Sequence, residues 1–232
     1  MTISVIVPTL DEAVNIKQLL KHFKKCQGQE FLEEIIVIDG GSKDQTLKIA
    51  QAQGARVSQS EKGRAVQMNT GARIASGDIL YFVHADVRPP LSCFEDIIQA
   101  IEKRNCIGCF AYRFDSEHPL LKVNSYFTQF DWVAVGGGDQ TLFLLKKRFE
   151  ELGGFDETLP IMEDFDFFWR AKKQYPIHLV KKRALVSARK YQRNSYLKVQ
   201  VVNAIAFTAF RWGYSPTQIA KWYKKHLKKV DE

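Results

Sequence analysis

The sequence predicts an α/β fold in which one mostly parallel sheet is flanked by helices and followed by a C-terminal helical extension. Short β-branched runs alternate with stretches of helical periodicity through the first half of the chain, and this alternation is typical of parallel sheets covered on both faces. Acidic residues follow three of the predicted strands directly, where ligands bind in such sheets. With 232 residues and 45% apolar content, the chain can form one well-packed domain and a short appendage.

Four strands and three helices are predicted in the first half of the chain. The strands are short apolar runs, and the helices either have apolar residues at intervals of three and four or begin beside a capping side chain. Ser42 or Asp44 can cap the second helix by accepting from its free N–H groups. The predicted strands are residues 3–7, 34–38, 55–58 and 79–83, and the predicted helices are residues 14–23, 42–52 and 63–75.

The second half of the chain is less regular. Three glycines at residues 136–138 form a flexible link, and Gly153-Gly154 breaks the chain before a further helix. The predicted strands are residues 108–114, 141–145 and 184–188, and the predicted helices are residues 120–133 and 162–173. We expect residues 1–193 to form the domain and residues 194–232 to form the extension.

The C-terminal extension is strongly basic. Residues 1–180 hold 21 Lys and Arg against 24 Asp and Glu, a net charge of −3, whereas residues 181–232 hold 13 against 2, a net charge of +11. Its last helix begins at Ser215-Pro216 and combines lysines with an apolar face. Such a helix either packs on the domain or lies on an anionic membrane surface, and we favour packing. We expect no nucleic-acid partner, because no aromatic-basic recognition motif is present.

We expect a cytoplasmic protein, peripheral on the inner face of the membrane if the extension binds lipid. The amino terminus lacks the basic leader of a signal peptide. The longest apolar-rich stretch, residues 199–210, is shorter than the roughly 20 residues of a bilayer span. Cys106 and Cys109 form a single pair without the second pair that zinc sites have, so we interpret them as strand packing.

Two loops that follow neighbouring strands carry side chains that could bind a nucleotide. Asp11-Glu12 follows the first strand and Asp39 ends the second. Turn chemistry explains either one alone, but the pair at adjacent strand ends favours a binding site. Asp39 could accept from a nucleobase N–H or a ribose hydroxyl. Lys62-Gly63-Arg64 brings cations to a helix start, which favours a phosphate or a base carbonyl.

The fourth strand ends at His84-Ala85-Asp86, the candidate metal site. A divalent cation that bridges a diphosphate needs only one or two carboxylates, since phosphate oxygens and water complete its shell. Such a cation would neutralise charge on a leaving diphosphate. A turn with a capping Asp86 is the alternative interpretation.

Carboxylates in the second half are candidates for acid–base chemistry. Glu163-Asp164 opens a helix, where acidic residues also favour the macrodipole. If the second half folds over the sheet, Asp164 reaches the ligand-binding edge and could take a proton from an acceptor hydroxyl. Asp139 and Gln140, which follow the flexible glycines, and Glu163 are the candidates for holding that acceptor.

Seven motifs occur in a fixed order along residues 3–193. They are Pro8-Thr9-Leu10-Asp11-Glu12, Asp39-Gly40-Gly41-Ser42-Lys43-Asp44-Gln45-Thr46, Lys62-Gly63-Arg64, His84-Ala85-Asp86, Gly138-Asp139-Gln140, Gly153-Gly154-Phe155 and Met162-Glu163-Asp164. Each motif alone is weak, but in this order they resemble the family 2 glycosyltransferases of the Rossmann-like GT-A fold. The chain is especially similar to a short bacterial branch with His-Ala-Asp, some members of which are named for arsenosugar biosynthesis.

The resemblance implies an inverting transfer of a sugar from a UDP- or GDP-linked donor to a hydroxyl acceptor, either a small molecule or a lipid-linked one. Asp86, with His84, would hold Mn²⁺ or Mg²⁺ against the diphosphate, and Asp164 would act as the general base. The residues implied for the nucleoside are Thr9, Asp11, Glu12, Asp39 and Arg64.

The chain departs from the family pattern at two places. The usual Asp-x-Asp is His84-x-Asp86 here, which leaves the first metal-side residue unassigned. The Arg-Trp that often occurs near the end is replaced by Ser-Ala-Arg-Lys-Tyr at residues 187–191. Arg189 and Lys190 are therefore the candidates for contacting the diphosphate.

Two alternatives stay open. A sugar-1-phosphate nucleotidyltransferase uses a similar sheet, but it normally carries a glycine-rich, arginine-containing loop after the first strand, which is missing here. A non-catalytic binder of nucleotide sugars is the second alternative, and His84 is the residue that favours it. A nicotinamide enzyme is excluded, because Gly-x-Gly-x-x-Gly does not follow the first strand.

Overall fold

Parallel strands form the amino-terminal half of the sheet, in a computed structural model that describes residues 1–130 and 141–228. Its four strands and the three α-helices between them lie where the sequence predicts them. The strands are β1 (Ile3–Thr9), β2 (Leu32–Asp39), β3 (Arg56–Gln59) and β4 (Ile79–Phe82). The helices between them are α1 (Ala13–Phe23), α2 (Thr46–Ala52) and α3 (Arg64–Ile74), and a short 3-10 helix, Gln29–Phe31, precedes β2.

The described chain from residue 87 onward adds four strands and the remaining helices, and its first two elements, Val87–Arg88 and Cys93–Arg104, are not predicted from the sequence. The strands are β5 (Val87–Arg88), β6 (Ile107–Phe114), β7 (Leu142–Leu145) and β8 (Ile177–Val186). The helices are α4 (Cys93–Arg104), α5 (Pro119–Phe127), α6 (Lys146–Glu151), α7 (Glu163–Lys172), α8 (Arg189–Gln192), α9 (Tyr196–Arg211) and α10 (Pro216–His226).

All eight strands belong to one sheet in the order β3-β2-β1-β4-β7-β6-β8-β5. The pairs β1–β2, β1–β4, β2–β3 and β6–β8 are parallel. β7 runs antiparallel to both β4 and β6, and β5 runs antiparallel to β8. The sheet is therefore mixed in its second half, while the predicted α/β class with a mostly parallel sheet is confirmed.

The structure corrects two predicted boundaries. β8 begins at Ile177 and not at the predicted residue 184. The predicted start is late because exposed charged residues at 181–183 interrupt the apolar pattern of the strand. Those residues adjoin an irregularity in the pairing with β6, where Phe110 pairs with Val180 but Ala111 pairs with Arg183. α5 ends at Phe127, before the predicted end at residue 133, and residues 131–133 lie outside the described chain.

Alternate residues of β1 face opposite sides of the sheet. Val5 and Val7 belong to an apolar cluster with Phe23 of α1 and Phe94 of α4. Ile6 belongs to a second cluster on the other face, with residues of α3 and α7. Because both faces are covered, β1 is a continuous apolar run, as central strands of parallel sheets are.

The C-terminal helices pack on the domain and on each other. Phe210 of α9 stacks on Trp169 of α7 with ring centroids 5.6 Å apart. Val199 and Val202, also in α9, form a buried cluster with Leu227, which follows α10. In the described part of the chain, every helix is too short or too polar to cross a membrane.

Candidate active site

The carboxyl ends of β1, β2 and β4 lie at one edge of the sheet. β1 pairs in parallel with both neighbours, so that Thr9 lies beside Asp39 and Ile6 lies beside Phe82. The loops that follow the three strands therefore open onto the same edge, as the alternation of strands and helices predicts.

A cavity of about 580 Å³ lies at this edge, within the size range of small-molecule sites. Its wall also contains Lys62, Gln67, Pro160 and Lys224. The predicted site residues on its wall are Thr9, Glu12, Arg64, His84, Asp86 and Arg189. Residues from both halves of the sheet and from the C-terminal extension thus share one cavity.

Arg189, at the start of α8, joins two of the acidic loops. Its guanidinium contacts both carboxylate oxygens of Glu12, with Nη1 at 3.2 Å from Oε2. Nη2 also lies 3.3 Å from Oδ2 of Asp86. All three side chains are largely buried, so the pairing offsets the repulsion between the two carboxylates. This cluster is the main charged feature of the cavity.

Asp39 holds the turn that follows β2. The residue is fully buried, and its Oδ2 accepts from the N–H groups of Gly41 at 2.9 Å and Ser42 at 2.8 Å. The Ser42 hydroxyl donates to Oδ1, and Gly41 has a φ of +96°, which favours glycine. The carboxylate that the sequence predicts for a nucleoside therefore fixes the backbone beside the cavity.

The loops after β1 and β2 are bonded to each other. Oδ1 of Asp11 accepts from the N–H of Lys43 at 2.7 Å, and Oδ2 of Asp44 accepts from the N–H of Ala13 at 3.0 Å. Burial opposes ionisation of Asp44, but hydrogen bonds from Thr46 and Ala13 outweigh it and lower the pKa of that carboxyl. Asp11 is exposed at the surface of this junction.

Gln67 connects α3 to the strand ends and was not singled out by sequence reasoning. Its Nε2 donates to the carbonyl oxygens of Thr9 at 2.7 Å and Ile38 at 2.9 Å. A Cβ atom at Gly40 would come within 3.1 Å of the Gln67 amide, so the backbone of the turn packs tightly against this side chain. A glutamine inside a helix carries no sequence signal for such a role.

The sequence predicts an acceptor contact for Glu163, but its carboxylate faces Arg64. Oε1 of Glu163 lies 3.4 Å from Nε of Arg64, and the Glu163 side chain is only 3% exposed. The same oxygen makes no hydrogen bond within the described residues. A buried carboxylate needs a compensating charge, and Arg64 supplies it. The same contact orients the Arg64 guanidinium at the cavity wall.

The remaining predicted residues lie in three different places. Asp164 is half-buried in the first turn of α7, which begins shortly after Pro160 on the cavity wall. Lys190 is directed to the C-terminal helices, with Nζ at 3.3 Å from Oδ1 of Asn203. Asp139 and Gln140 lie outside the described residues.

Two side chains at the cavity could hold a divalent cation whose remaining ligands come from a bound molecule. Among the described residues, no group of three His, Cys, Asp or Glu side chains is arranged to hold a metal ion. The Asp86 carboxylate and the His84 ring do lie on the same wall, and one or two protein ligands suffice when phosphate oxygens complete the shell. Carboxylate oxygen is the ligand that Mg²⁺ and Mn²⁺ prefer.

The sequence model of glycosyl transferase family 2 matches residues 4–168, so this chain belongs to that family. The chain is 31% identical over 115 residues to dolichol-phosphate mannosyltransferase of Pyrococcus furiosus, covering 47% of this chain and 32% of that protein. It is 26% identical over 181 residues to an uncharacterized glycosyltransferase of Haemophilus influenzae, covering 71% and 60%. The chain thus spans between about a third and three-fifths of these relatives.

Solved structures share the fold at low identity. The crystal structure of S. aureus TarS 1–349 superposes with a TM-score of 0.68 and 20% identity, covering 94% of this chain and 68% of that one. The mannosyltransferase PcManGT of Pyrobaculum calidifontis, in complex with GDP-Man and Mn²⁺, gives 0.67 and 20%, covering 93% and 66%. The predicted GT-A fold is therefore confirmed.

We predict that Arg64 and Glu163 are coupled in stability. Arg64→Ala leaves the buried carboxylate without its cation and should lower the free energy of unfolding by about 1–3 kcal/mol. In a Glu163→Gln background the same change should cost less than about 0.5 kcal/mol. Urea denaturation of the two single variants and the double variant measures the coupling.

Arg73→Ala on the same helix is the matched control, because the side chains of Arg73 and its partner Glu157 are 64% and 43% exposed, against 3% for Glu163. Exposed pairs contribute about 0–1 kcal/mol, so this variant should unfold like the wild type. Equal costs of Arg64→Ala in both backgrounds would contradict the coupling.

Proposed function

We propose that this chain is an inverting glycosyltransferase that moves a sugar from a UDP- or GDP-linked donor to a hydroxyl acceptor. The convergence of Glu12, Asp86 and Arg189 with Lys62 and Arg64 in one cavity carries the proposal. Cations on the wall suit a diphosphate, and a carboxylate suits the metal ion that accompanies it. The His84-Ala85-Asp86 motif further leads us to place the chain in the short His-Ala-Asp branch of the family.

A nucleotide-sugar donor is supported by what related structures contain. S. aureus TarS 1–349 was crystallised with UDP and with UDP-GlcNAc, and PcManGT with GDP-Man and Mn²⁺. In this chain, the nucleoside would lie against the bonded loops after β1 and β2, whose backbone is fixed by Asp39 and Asp11. The residues proposed for it are Thr9, Asp11, Glu12, Asp39 and Arg64.

Asp86 and Arg189, which are in contact at 3.3 Å, would both act on the diphosphate, Asp86 through a cation and Arg189 directly. Asp86, with His84 beside it on the cavity wall, would hold Mn²⁺ or Mg²⁺. When bound, such a cation would neutralise the charge that builds on the leaving diphosphate. Arg189 is already held in this place by Glu12 and would donate to phosphate oxygens with its planar fork of N–H groups.

Asp164 is the proposed general base. As the acceptor hydroxyl oxygen forms its bond to the anomeric carbon, the hydroxyl proton passes to the Asp164 carboxylate. The bond from that carbon to the diphosphate oxygen breaks on the opposite side of the ring, so the configuration inverts. Asp139, Gln140 and Glu163 are the candidates for holding the acceptor, and Glu163 also faces Arg64.

We predict that Asp164→Asn abolishes transfer while leaving nucleotide binding intact. Turnover of UDP- and GDP-sugars, assayed with Mn²⁺ or Mg²⁺, should fall by about 10²–10⁴-fold, the range typical for loss of a general base. Affinity for the nucleoside diphosphate should stay within about twofold. Asp166→Asn is the control, because Asp166 pairs with Arg170 at 2.8 Å in the same helix, and its turnover should match the wild type.

Other outcomes would overturn specific parts of the proposal. Full turnover by Asp164→Asn would remove the base assignment. Tight donor binding by the wild type without turnover of any sugar would favour a non-catalytic binder. Formation of a nucleotide sugar from a sugar-1-phosphate and a nucleoside triphosphate would favour the nucleotidyltransferase.

We also propose that the extension makes peripheral contact with an anionic membrane. Leu197, Val201 and Ile205 recur every four residues of α9 and are 69%, 55% and 46% exposed, and Trp212 continues the same face. The opposite face of α9 is already buried, against α10 and Leu227 and against Trp169 of α7. A helix that is apolar on both faces is normally enclosed on both. Lysines in this region would attract anionic headgroups, and a lipid-linked acceptor would then lie near the site.

We predict that the chain floats with vesicles of phosphatidylcholine and phosphatidylglycerol, and does so far less with phosphatidylcholine alone or at high salt. The double change Leu197→Ser and Ile205→Ser should weaken binding by at least about tenfold, since each buried aliphatic side chain contributes on the order of 1.5–3 kcal/mol.

Val14→Ser is the control for vesicle binding, because Val14 is also 69% exposed but lies in α1. Its binding should match the wild type. Absence of flotation would contradict the membrane contact. A concentration-dependent dimer that the Leu197→Ser and Ile205→Ser variant abolishes would also contradict it and would assign the face to a second copy of the chain.

A further inference from the structure

One cation on the cavity wall comes from the C-terminal extension rather than from the sheet edge. Lys224 lies in α10 and lines the same cavity as Asp86 and Arg189. The sequence motifs of the family lie within residues 3–193, and the family model ends at residue 168. Lys224 therefore belongs to a part of the chain to which nothing else assigns a role in the site.

Buried contacts fix the position of α10. Asn194 is 4% exposed, and its side chain donates to the carbonyl of Lys228 at 3.0 Å and accepts from the N–H of the same residue at 3.0 Å. Apolar residues on the inner face of the helix, Ile219 and Ala220, are buried. The helix is thus attached to the segment that follows Arg189 and is not a loosely held tail.

A second set of contacts links α10 to the cavity. Lys190, the residue after Arg189, contacts the hydroxyl of Tyr223 and lies 5.1 Å from the centre of its ring. The Tyr223 hydroxyl in turn donates to Asn203 at 2.8 Å. Tyr223 immediately precedes Lys224, so the network that starts beside Arg189 also sets where the Lys224 side chain begins. Lys190 is a positioning residue in this arrangement.

The two arginines of the wall already face carboxylates. Arg189 pairs with Glu12 and Asp86, and Arg64 faces Glu163. Within residues 1–130 and 141–228, Lys224 forms no ion pair with an acidic side chain. A lysine that lines a cavity without a protein anion is suited to an anionic ligand, because an ammonium group binds phosphate as a point charge.

We propose that Lys224 binds the diphosphate of the donor, which makes the C-terminal extension part of the donor site. This inference rests on the proposed function, because it requires a nucleoside diphosphate in the cavity. The lysine would contribute charge that Arg189 alone does not, since Arg189 also compensates Glu12. It would interact with the diphosphate and not with the nucleoside.

The test compares Lys224→Ala with Lys225→Ala, an exposed lysine one position further along the same helix. UDP, GDP and the matching nucleoside monophosphates are titrated into each variant by calorimetry in the presence of Mn²⁺. Lys224→Ala should weaken binding of the cognate diphosphate by about tenfold, equivalent to about 1.4 kcal/mol, and the monophosphate by less than about threefold. Lys225→Ala should bind both as the wild type does.

Two further variants keep the result interpretable. Lys224→Arg should retain most of the affinity, and Lys224→Glu should lose more than Lys224→Ala because a negative charge repels the diphosphate. Unchanged thermal unfolding would show that α10 is still packed. If the wild type binds the diphosphate and Lys224→Ala binds it equally well, this inference is wrong while the proposed function stands. If the wild type binds no nucleoside diphosphate, the proposed function itself fails.

Discussion

The salt bridge that joins Arg189 to Glu12 and Asp86 is the interaction on which the candidate site depends. Parallel strands bring carboxylates to a shared edge, where partial burial strengthens the repulsion between like charges. A guanidinium relieves this repulsion because its planar fork of donors can contact two carboxylates. Arg189 follows β8, which lies four strands away from β1 in the sheet. The negative charge at the edge is therefore compensated only when both halves of the sheet have formed.

Buried hydrogen bonds fix the backbone next to these charged side chains. Asp39 holds its own turn, and Gln67 donates to carbonyls at the ends of two strands. Leaving any of these buried groups without a partner would cost about 1–3 kcal/mol. The guanidinium groups of the wall keep more contact with solvent, since the side chains of Arg64 and Arg189 are 51% and 28% exposed. A fixed backbone beside solvent-accessible charges would suit the proposed charged ligand.

How much of this could be predicted from the sequence differs between the two halves. Continuous apolar runs such as β1 identify strands, and parallel strands share an edge, so the convergence of the acidic loops followed from local patterns. The sequence pattern predicts the start of β8 too late, because the exposed Lys181 and Lys182 lie within the strand. The roles of Glu163 and Lys224 depend on contacts between distant segments, and no local periodicity carries that information.

The proposed site rests on Asp86, which would share a cation with the donor and is paired with Arg189 in this structure. The most direct measurement is the affinity of Mn²⁺, followed by electron paramagnetic resonance, with and without UDP or GDP. We expect the cognate diphosphate to tighten Mn²⁺ binding to the protein by at least about tenfold, and linkage requires Mn²⁺ to tighten the diphosphate equally. Asp86→Asn should remove this gain. An Mn²⁺ affinity that is the same with and without nucleotide, or a gain that survives Asp86→Asn, would contradict the account.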